Sequence, residues 1–587
     1  MENIRLKKLQ NRLVEEKIDL YYLNTSDYHM SEYVPEYFKT IAYFSYFTGS
    51  LATLLVSQED AYIFVDGRYH TQADKQCLPK GVKVIKLGTK DALEPIDFIC
   101  KYYKDKVIGL DGKRTSVGFA KLLKQNNIKI KSVDVYSDLI EDRVPLKNDY
   151  IYELPVKYTG LSRNKKLELL KYCLKNNCHI VNNLESIAYI LNLRSRDILY
   201  TPVFLAYLVI YDGDIYLFCD QRRFKKEVLD SLYADGVIVR PYDTYYDFIS
   251  IINNRVILLD ETKVNYETYL KINGKNNKII NKRSIIEEMK SIKNNVEQEN
   301  SKLAHIYDAV ALIRFFMWLD SVDKSDYTEY EVAEKLDNFR LYYKAYDLSF
   351  NSIVAYNENS AIIHYAPEAS SSARLDNKGI LLLDTGGQYL YGTTDITRTI
   401  ALGPVSDEVK KHFTLVLKSM FNLSELKFKR GLSGNQIDVI ARQDLWAEGL
   451  DYRHGTGHGV GFGLSVHEGP PNIRYMNTDA QTERVELKPG MIFSDEPGVY
   501  FEGKYGIRCE NLLLCKKDLE NEYGEFLKFE TLTLVPFDRN LIDKNYLDEK
   551  TINALNSYHQ RVLMTLLPYL NDEEAKYLRK MTETIWK

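Results

Sequence analysis

No run of about 18 apolar residues occurs in the 587-residue chain, so no helix of bilayer-spanning length is expected. The first ten residues, Met1 to Gln10, are charged and hold no apolar stretch, so no secretory leader is expected there. Cysteine is scarce. Seven are scattered at positions 77, 100, 173, 178, 219, 509 and 515, with no C-x-x-C pair. That scatter excludes a disulfide framework and a zinc ribbon, and it fits a reducing compartment, the cytosol. Surplus positive charge is also missing. Lys and Arg number 78 against 82 Asp and Glu, for a net charge of -4. Nothing is left over to displace the counterions of a nucleic acid, so neither a nucleic-acid nor a membrane partner is expected. Histidine is limited to ten residues, which makes any local concentration of it informative.

What is present reads as globular protein. Hydrophobic residues make up 45% and charged residues 27%, ordinary values for a packed, solvated chain. The length exceeds what one core supports, and roughly three or four domains are expected. The first half contains a weak repeat. Asp60 to Asp66 is a short apolar strand followed by Gly67-Arg68, and Asp212 to Asp220 is a similar unit followed by Gln221-Arg222. Each is followed by a second strand, Gly81 to Ile85 and Gly236 to Arg240. Each then has a third strand ending in Asp, Val107 to Asp111 and Val256 to Asp260. A period of roughly 150 residues suits two copies of one domain. Strands alternating with helical stretches predict an α/β unit with a mixed or parallel sheet.

The second half differs. Lys290 to Asp320 has helical periodicity, with Ile306, Val310, Ile313 and Met317 on one face. Glu329 to Arg340 is a second helix. From Asn351 the pattern is strand-like and rich in glycine, with Ile380 to Asp384 and Ile507 to Glu510 at its centre. A last helix follows Asp548, striped by Leu555, Tyr558, Val562 and Leu566. Leu563, Leu567 and Leu570 widen that stripe beyond what one core contact needs, so it is expected either to pack on its own domain or to take part in a contact between chains.

The chemistry concentrates in this half. Asp384 ends an apolar strand, and Asp395 follows after Gly386, Gly387 and Gly392, a spacing that allows a hairpin with the two Asp facing each other. Glu496 and Glu510 also sit at strand ends. One such carboxylate is an ordinary capping group, but four repel one another in a protein interior unless a cation compensates them. His454, His458 and His467 fall within one glycine-rich segment. Its glycines forbid a stable helix, so the four-residue spacing is not a helical zinc pair. They are expected to let the backbone pass close to a ligand or metal. A phosphate loop is disfavoured because no lysine follows in Walker fashion. His364 is read as the end of an apolar strand in Ser360-Ala-Ile-Ile-His364-Tyr.

These segments resemble the pita-bread metallopeptidase family, most closely its three-domain aminopeptidase P members. The matching text is Leu383-Asp-Thr-Gly-Gly through Thr394-Asp395-Ile-Thr-Arg-Thr, His454-Gly-Thr-Gly-His458-Gly-Val-Gly, Val466-His467-Glu-Gly-Pro, Glu496-Pro-Gly-Val-Tyr and Tyr505-Gly-Ile-Arg-Cys-Glu510-Asn. It extends to Asp27-Tyr-His-Met-Ser-Glu-Tyr33 and Asp66-Gly-Arg-Tyr69 in the first domain, and to Leu191 through Tyr207 in the second. Phe529 to Pro536 resembles the tail of the catalytic domain. There are departures: Tyr46-Phe-Thr-Gly lacks a glycine, Tyr189 replaces a common Trp, Ser494-Asp495 replaces Ser-Asn, and Tyr356-Asn357 replaces a Gly-containing turn. None removes a presumed ligand.

The resemblance implies an α/β (α+β) chain: a creatinase-like domain over 1–146, a second over 147–281, and a pita-bread catalytic domain over 282–587. It implies two divalent cations per chain. Asp395 and Glu510 bridge them, Asp384 chelates one, and His458 with Glu496 holds the other. Four carboxylates and an imidazole without thiolate favour Mn²⁺, with Co²⁺ or Zn²⁺ as replacements. Glu496 doubles as proton acceptor for a bridging water. His364 and His467 are expected to stabilise the oxyanion and pass the proton to the leaving nitrogen, and His454 to line the proline side. Thr397 and Arg508 are expected to orient Asp395 and Glu510, which lie two residues away on the same strand faces. The implied activity is removal of an N-terminal residue that precedes proline, in a cytosolic homodimer joined through catalytic domains. A prolidase restricted to Xaa-Pro dipeptides is the nearest alternative, disfavoured by the doubled N-terminal domain. A non-catalytic binding module and a metal-free creatinase-like hydrolase are disfavoured by the complete ligand set.

Overall fold

The computed structural model describes residues 3–175, 177–475 and 484–586. The chain divides into two compact units. One comprises Met1–Pro155 and Leu161–Glu287, the other Val156–Gly160 and Glu288–Lys587.

The first unit holds two six-stranded sheets with the same strand order. In one, Lys83–Lys86, Ala61–Val65, Thr53–Ser57, Leu20–Asn24, Val107–Leu110 and Lys129–Ser132 lie side by side. In the other the sequence is Val237–Arg240, Asp214–Phe218, Tyr207–Tyr211, Cys178–Val181, Val256–Leu259 and Lys278–Asn281. Both are mixed in the same way, with an antiparallel centre flanked by parallel pairs. All three pairs of repeated segments occupy equivalent places. The inner strands Ala61–Val65, Val107–Leu110 and Val256–Leu259 are buried along most of their length, whereas Lys83–Lys86 at the sheet edge is half-buried or exposed throughout.

In the second unit the helical stretch predicted from Lys290 is interrupted. Ile285–Ser291 ends, and Asn294 caps a new helix, Asn295–Ser321, through a capping box with Glu297. Of the predicted stripe Val310 and Ile313 are buried while Ile306 and Met317 are half-buried, and Ala309, Leu312, Phe315, Phe316 and Leu319 are enclosed as well. It receives a short helix from the other side of the first unit's sequence, Val156–Thr159. Asn300 Nδ2 donates to Tyr158 O at 3.0 Å, and Asn294 Nδ2 donates to Thr159 O at 2.8 Å.

Beyond Asn351, two helices interrupt the predicted strand-rich region: Asp407–Ser424, capped by Ser406, and Gly434–Ala447, capped by Ser433. The strands form two main sheets. A three-stranded sheet is ordered Ile353–Tyr356, Ile380–Thr385, Ile396–Ala401. A six-stranded sheet is ordered Lys427–Lys429, Gly524–Thr531, Asn511–Asn521, Ile492–Asp495, Gly457–Gly459, Glu468–Ile473. The hairpin Gly498–Phe501/Tyr505–Arg508 adjoins them. A backbone bond from Glu510 N to Thr397 O, 3.1 Å, ties the sheets together where the carboxylates gather.

The C-terminal helix Glu549–Leu566 turns its stripe inward. Leu555, Val562 and Leu566 are fully enclosed in this unit's own core, and Leu563 and Leu570 pack against its edge. Of the two readings of the stripe, packing on its own unit is the one the structure shows, and the contact-face reading is corrected because the unit's own core uses the apolar surface.

The same helix carries His559, 1% exposed, whose Nε2 accepts Phe537 N–H at 3.2 Å. Burial, with Arg398 and Arg539 adding to it, lowers its pKa to about 3. The folded value lies below the unfolded one, so the stability it contributes is complete above about pH 6.5 and is lost as pH falls toward 3. Between pH 7 and 5 this one group is expected to cost about 2 kcal/mol. Urea unfolding at both pH values should show His559→Gln losing correspondingly less stability than the parent. Equal losses would refute the assignment.

Candidate metal centre

Asp384 lies in Ile380–Thr385, and Thr397, in Ile396–Ala401, is its cross-strand partner. Asp395 sits one residue before that second strand. The link between the strands is not a bare turn. It builds its own hairpin, Gly387–Tyr389 with Gly392–Thr393, before returning. Glu496 follows Ile492–Asp495, and Glu510 occupies the two-residue step between Tyr505–Arg508 and Asn511–Asn521. His458 is central in Gly457–Gly459. A Cβ on Gly457 would stand 1.9 Å from Ser494 O. Glycine is needed at this position so that neighbouring strands can close up.

These elements converge. Asp395, His458 and Glu510 each offer a ligand atom, all within 4.8 Å of one another. His458 Nε2 lies 3.6 Å from Asp395 Oδ2 and 3.3 Å from Glu496 Oε1. Its Nδ1 is 3.0 Å from Gly459 O, a contact that fixes the ring with Nε2 aimed at the carboxylates. Asp384 Oδ1 and Glu510 Oε1 are buried without a hydrogen-bond partner.

The electrostatics are those of crowded anions. Burial and the neighbouring carboxylates push the Asp395 and Glu510 carboxyls well up. Asp384 is raised too, chiefly by burial, despite Arg508 beside it. Glu496 is the exception. Burial works against its ionisation, but the bond and charge of His458 outweigh that and lower it to about 2. Orphaned oxygens, a directed imidazole and mutually repelling acids fit divalent cations that supply the missing positive charge.

The supporting residues are connected differently from the expectation. Thr397 Oγ1 donates to Glu510 Oε2 at 2.8 Å rather than to Asp395. Arg508, 1% exposed, reaches Asp384 Oδ2 at 2.6 Å rather than Glu510. Spacing along one strand suggested same-strand partners, but strand pairing brings the facing residues closer. Arg508 also donates to Thr397 Oγ1 at 3.1 Å and Tyr500 OH at 2.8 Å.

Tyr500 was not singled out from the sequence, although it stands in the Glu496-Pro-Gly-Val-Tyr500 segment. Its hydroxyl lies 2.9 Å from His454 Nε2, and His454 Nδ1 lies 2.8 Å from Gly455 O. Both ring nitrogens of His454 thus have partners within the protein. Burial lowers its pKa to about 4, keeping it neutral. His467 stands with its ring edge-on to His458, centroids 4.4 Å apart. The next residue, Glu468, is gripped in the interior by Lys293 and, at 3.3 Å, by Lys290. His364 does not end a strand. It lies in the turn after the short 3₁₀ helix Asn357–Ala361, beyond the strand Ile353–Tyr356, and Arg508 Nη2 approaches the preceding carbonyl, Ile363 O, at 3.5 Å.

The Ser494-Asp495 departure has a structural consequence. Asp495 is fully buried, and neither carboxylate oxygen has a hydrogen-bond partner. Burial, then the charge of Glu496, raises its pKa well above the usual range. Burial thus disfavours its charged form at a position where a neutral amide is common.

Comparison with known proteins gives concordant results. The model of metallopeptidase family M24 matches residues 299–517, and that of the C-terminal region of this peptidase family matches 525–585. Models of the creatinase/prolidase N-terminal domain match 5–144 and 142–297. A probable Xaa-Pro aminopeptidase P of Tuber melanosporum is 35% identical over 618 residues, covering 99% of each chain. Xaa-Pro aminopeptidase 1 of Dictyostelium discoideum is 34% identical, covering 99% of this chain and 96% of its own. The crystal structure of X-prolyl aminopeptidase from Caenorhabditis elegans superposes with a TM-score of 0.93 at 32% identity over 99% of both chains. That protein is described as a cytosolic enzyme with a di-nuclear active site.

Proposed function

The chain belongs to the Xaa-Pro aminopeptidase P family of M24 metallopeptidases, and on that premise we propose that it is a metalloaminopeptidase cleaving the bond between an N-terminal residue and a following proline. The observation that carries the reading is the convergence of Asp395, His458 and Glu510 within 4.8 Å, with unpartnered carboxylate oxygens around them. Asp384, Asp395, His458, Glu496 and Glu510 would hold two divalent cations. The oxygen-rich set favours Mn²⁺, with Co²⁺ or Zn²⁺ as replacements. Such cations supply Lewis acidity and a water of lowered pKa.

The chain's own residues do the rest. Glu496 stays ionised at neutral pH and is the acceptor for the proton of the attacking water. The bond before proline is a tertiary amide, so its nitrogen must gain a proton to leave as a secondary amine. Glu496 takes that proton from the water, and His467 and His364 pass it to the leaving nitrogen and donate to the developing oxyanion. His454, held neutral between Tyr500 and Gly455, shapes the proline side rather than transferring protons. Arg508 holds Asp384, and Thr397 holds Glu510, in the orientation a cation needs.

Three further points belong to this proposal. The division at 146 and 281 is supported by the paired sheets and by the boundary near Glu287 between the compact units. The cytosol is supported by the compartment named for the Caenorhabditis enzyme. Among the described residues no helix is long and apolar enough to cross a membrane. A homodimer rests on the family resemblance, with a contact other than the buried stripe of Glu549–Leu566.

The test is metal analysis paired with activity on a tripeptide bearing proline second. Two divalent cations per chain, loss of activity on chelation and recovery with Mn²⁺ are expected. The tripeptide should be cleaved and an Xaa-Pro dipeptide should not. Undiminished activity after exhaustive metal removal would overturn the reading, and preference for the dipeptide would replace it with a prolidase.

A further inference from the structure

His364 sits on a segment with little regular structure of its own, so something else must fix its place. Asn357 opens the segment at φ +43°, the left-handed region that asparagine tolerates better than most residues. One 3₁₀ turn follows, and the chain then runs through His364 to Ala373 before pairing again. On one side the segment lies against the hairpin strand Tyr505–Arg508. Gly506 N donates to Ser360 Oγ at 2.7 Å, and a Cβ on Gly506 would come within 2.0 Å of Ser360 O. Arg508 adds its contact to Ile363 O.

On the other side stands a single buried acid. Glu329 is the first residue of the helix Glu329–Tyr342 and is fully enclosed. The helix is capped by Thr328 and Glu331, so Glu329 has no capping role and turns inward. Its Oε1 accepts Tyr356 N–H at 2.7 Å and Asn359 Nδ2 at 3.0 Å. Its Oε2 accepts Tyr365 OH at 2.6 Å and Ala373 N–H at 2.8 Å. The Glu329 N–H in turn donates to Ala373 O at 2.9 Å. One carboxylate therefore holds both ends of the segment, its first turn, and the residue directly after His364. A buried carboxylate is tolerated only when saturated by donors, and here the donors are Tyr356, Asn359, Tyr365 and Ala373, at the ends of this segment and within it. Burial and the bond to Glu329 push the Tyr365 phenol well up, so it remains a donor.

We propose that Glu329 is a positioning residue for His364, setting where the imidazole stands by clamping the segment at Tyr356, Asn359, Tyr365 and Ala373. This rests on the reading of His364 as a group that acts on the reaction. Glu329 itself touches neither the presumed ligands nor, on this reading, the substrate. Its influence is transmitted through Tyr365, adjacent to His364, while Arg508 fixes the opposite flank.

The experiment is a double-mutant cycle on the metal-loaded enzyme with the proline tripeptide. Glu329→Gln keeps the volume but replaces one acceptor oxygen with a donor. Tyr365→Phe deletes a single hydroxyl and tests the same link with little risk to folding. Glu329→Gln should lower kcat by about 10- to 100-fold, the range for supporting residues of a metal site, with KM and bound metal unchanged. Tyr365→Phe should lower kcat less, and Glu329→Asp should recover part of the loss. In a His364→Ala background, both substitutions should cost less than about threefold, because their effect passes through the missing ring. Equal costs in the two backgrounds, or metal lost from Glu329→Gln, would overturn the positioning role alone. Wild-type turnover by His364→Ala would instead overturn the reading of His364.

Discussion

Asp395→Asn is expected to abolish turnover and to reverse how the protein responds to metal. In the metal-free chain, the Asp395 carboxyl is pushed well up by burial and by Asp384 and Glu496. An acid whose folded pKa exceeds its unfolded value destabilises the fold at neutral pH, and the penalty shrinks as pH falls toward the raised value. Replacing it with the neutral amide should therefore raise the melting temperature of the metal-free protein at pH 7. The variant should also gain less than the parent on mild acidification. With Mn²⁺ the order inverts. The parent should gain about 2.7 kcal/mol at a hundredfold excess over Kd, and the variant little or nothing. Its loss of kcat should exceed the about 10- to 100-fold seen when supporting residues are removed. His467→Ala is the control: it should keep both cations while kcat falls by about 10²- to 10⁴-fold. Calorimetry with and without metal, plus metal analysis, reads all of this. An Asn variant that binds two cations with the parent's thermal shift would remove Asp395 from the ligand set.

The second large effect is expected at Arg398. This guanidinium is 2% exposed and has no carboxylate partner among the described residues. It donates to Glu510 O at 2.5 Å, Thr397 O at 2.9 Å, Val535 O at 2.7 Å, Pro536 O at 3.2 Å, Asn511 Oδ1 at 2.8 Å and Tyr558 OH at 3.0 Å. Its plane also lies 3.9 Å from the Phe537 ring centroid. It thus joins the backbone of a presumed ligand to the C-terminal helix. Arg398→Met fills similar space but strands several buried acceptors, each costing about 1–3 kcal/mol. A loss of about 3 kcal/mol or more is expected in denaturant unfolding, together with weaker metal binding. Lysine should not rescue it, because a point charge cannot serve acceptors spread around a planar fork. Tyr558→Phe, which removes one member, should cost about 1 kcal/mol. A methionine variant as stable as the parent would show that the network contributes nothing.

Arg398 also shows where sequence reading stops. It stood inside the Asp395-Ile-Thr-Arg segment used for the resemblance, yet nothing in the spacing revealed that it binds carbonyls more than 100 residues away. Tyr558 was legible only as part of an apolar stripe. The stripe was real, but whether an apolar face meets its own core or another chain depends on what packs there. Lys290, Lys293 and Glu468 look like surface charges in the sequence, and the fold encloses them. The helices Asp407–Ser424 and Gly434–Ala447 went unread because the glycine-rich strands around them dominated the pattern, although Ser406 and Ser433 signalled their starts.

By itself, the sequence determined which residue types make up the candidate site and the duplication of the N-terminal sheets. Residue type and order along the chain carry both, since ligand chemistry follows from carboxylate and imidazole, and strand periodicity follows from local burial. It did not determine which side chains face each other. Thr397 serves Glu510, Arg508 serves Asp384 and Glu329 clamps the His364 segment because strand register and sheet packing bring distant residues within 3 Å or so. Hydrogen bonding falls off steeply over fractions of an ångström. Only the tertiary structure sets distances that finely, and with them the division between the residues that hold the site and those that act in it.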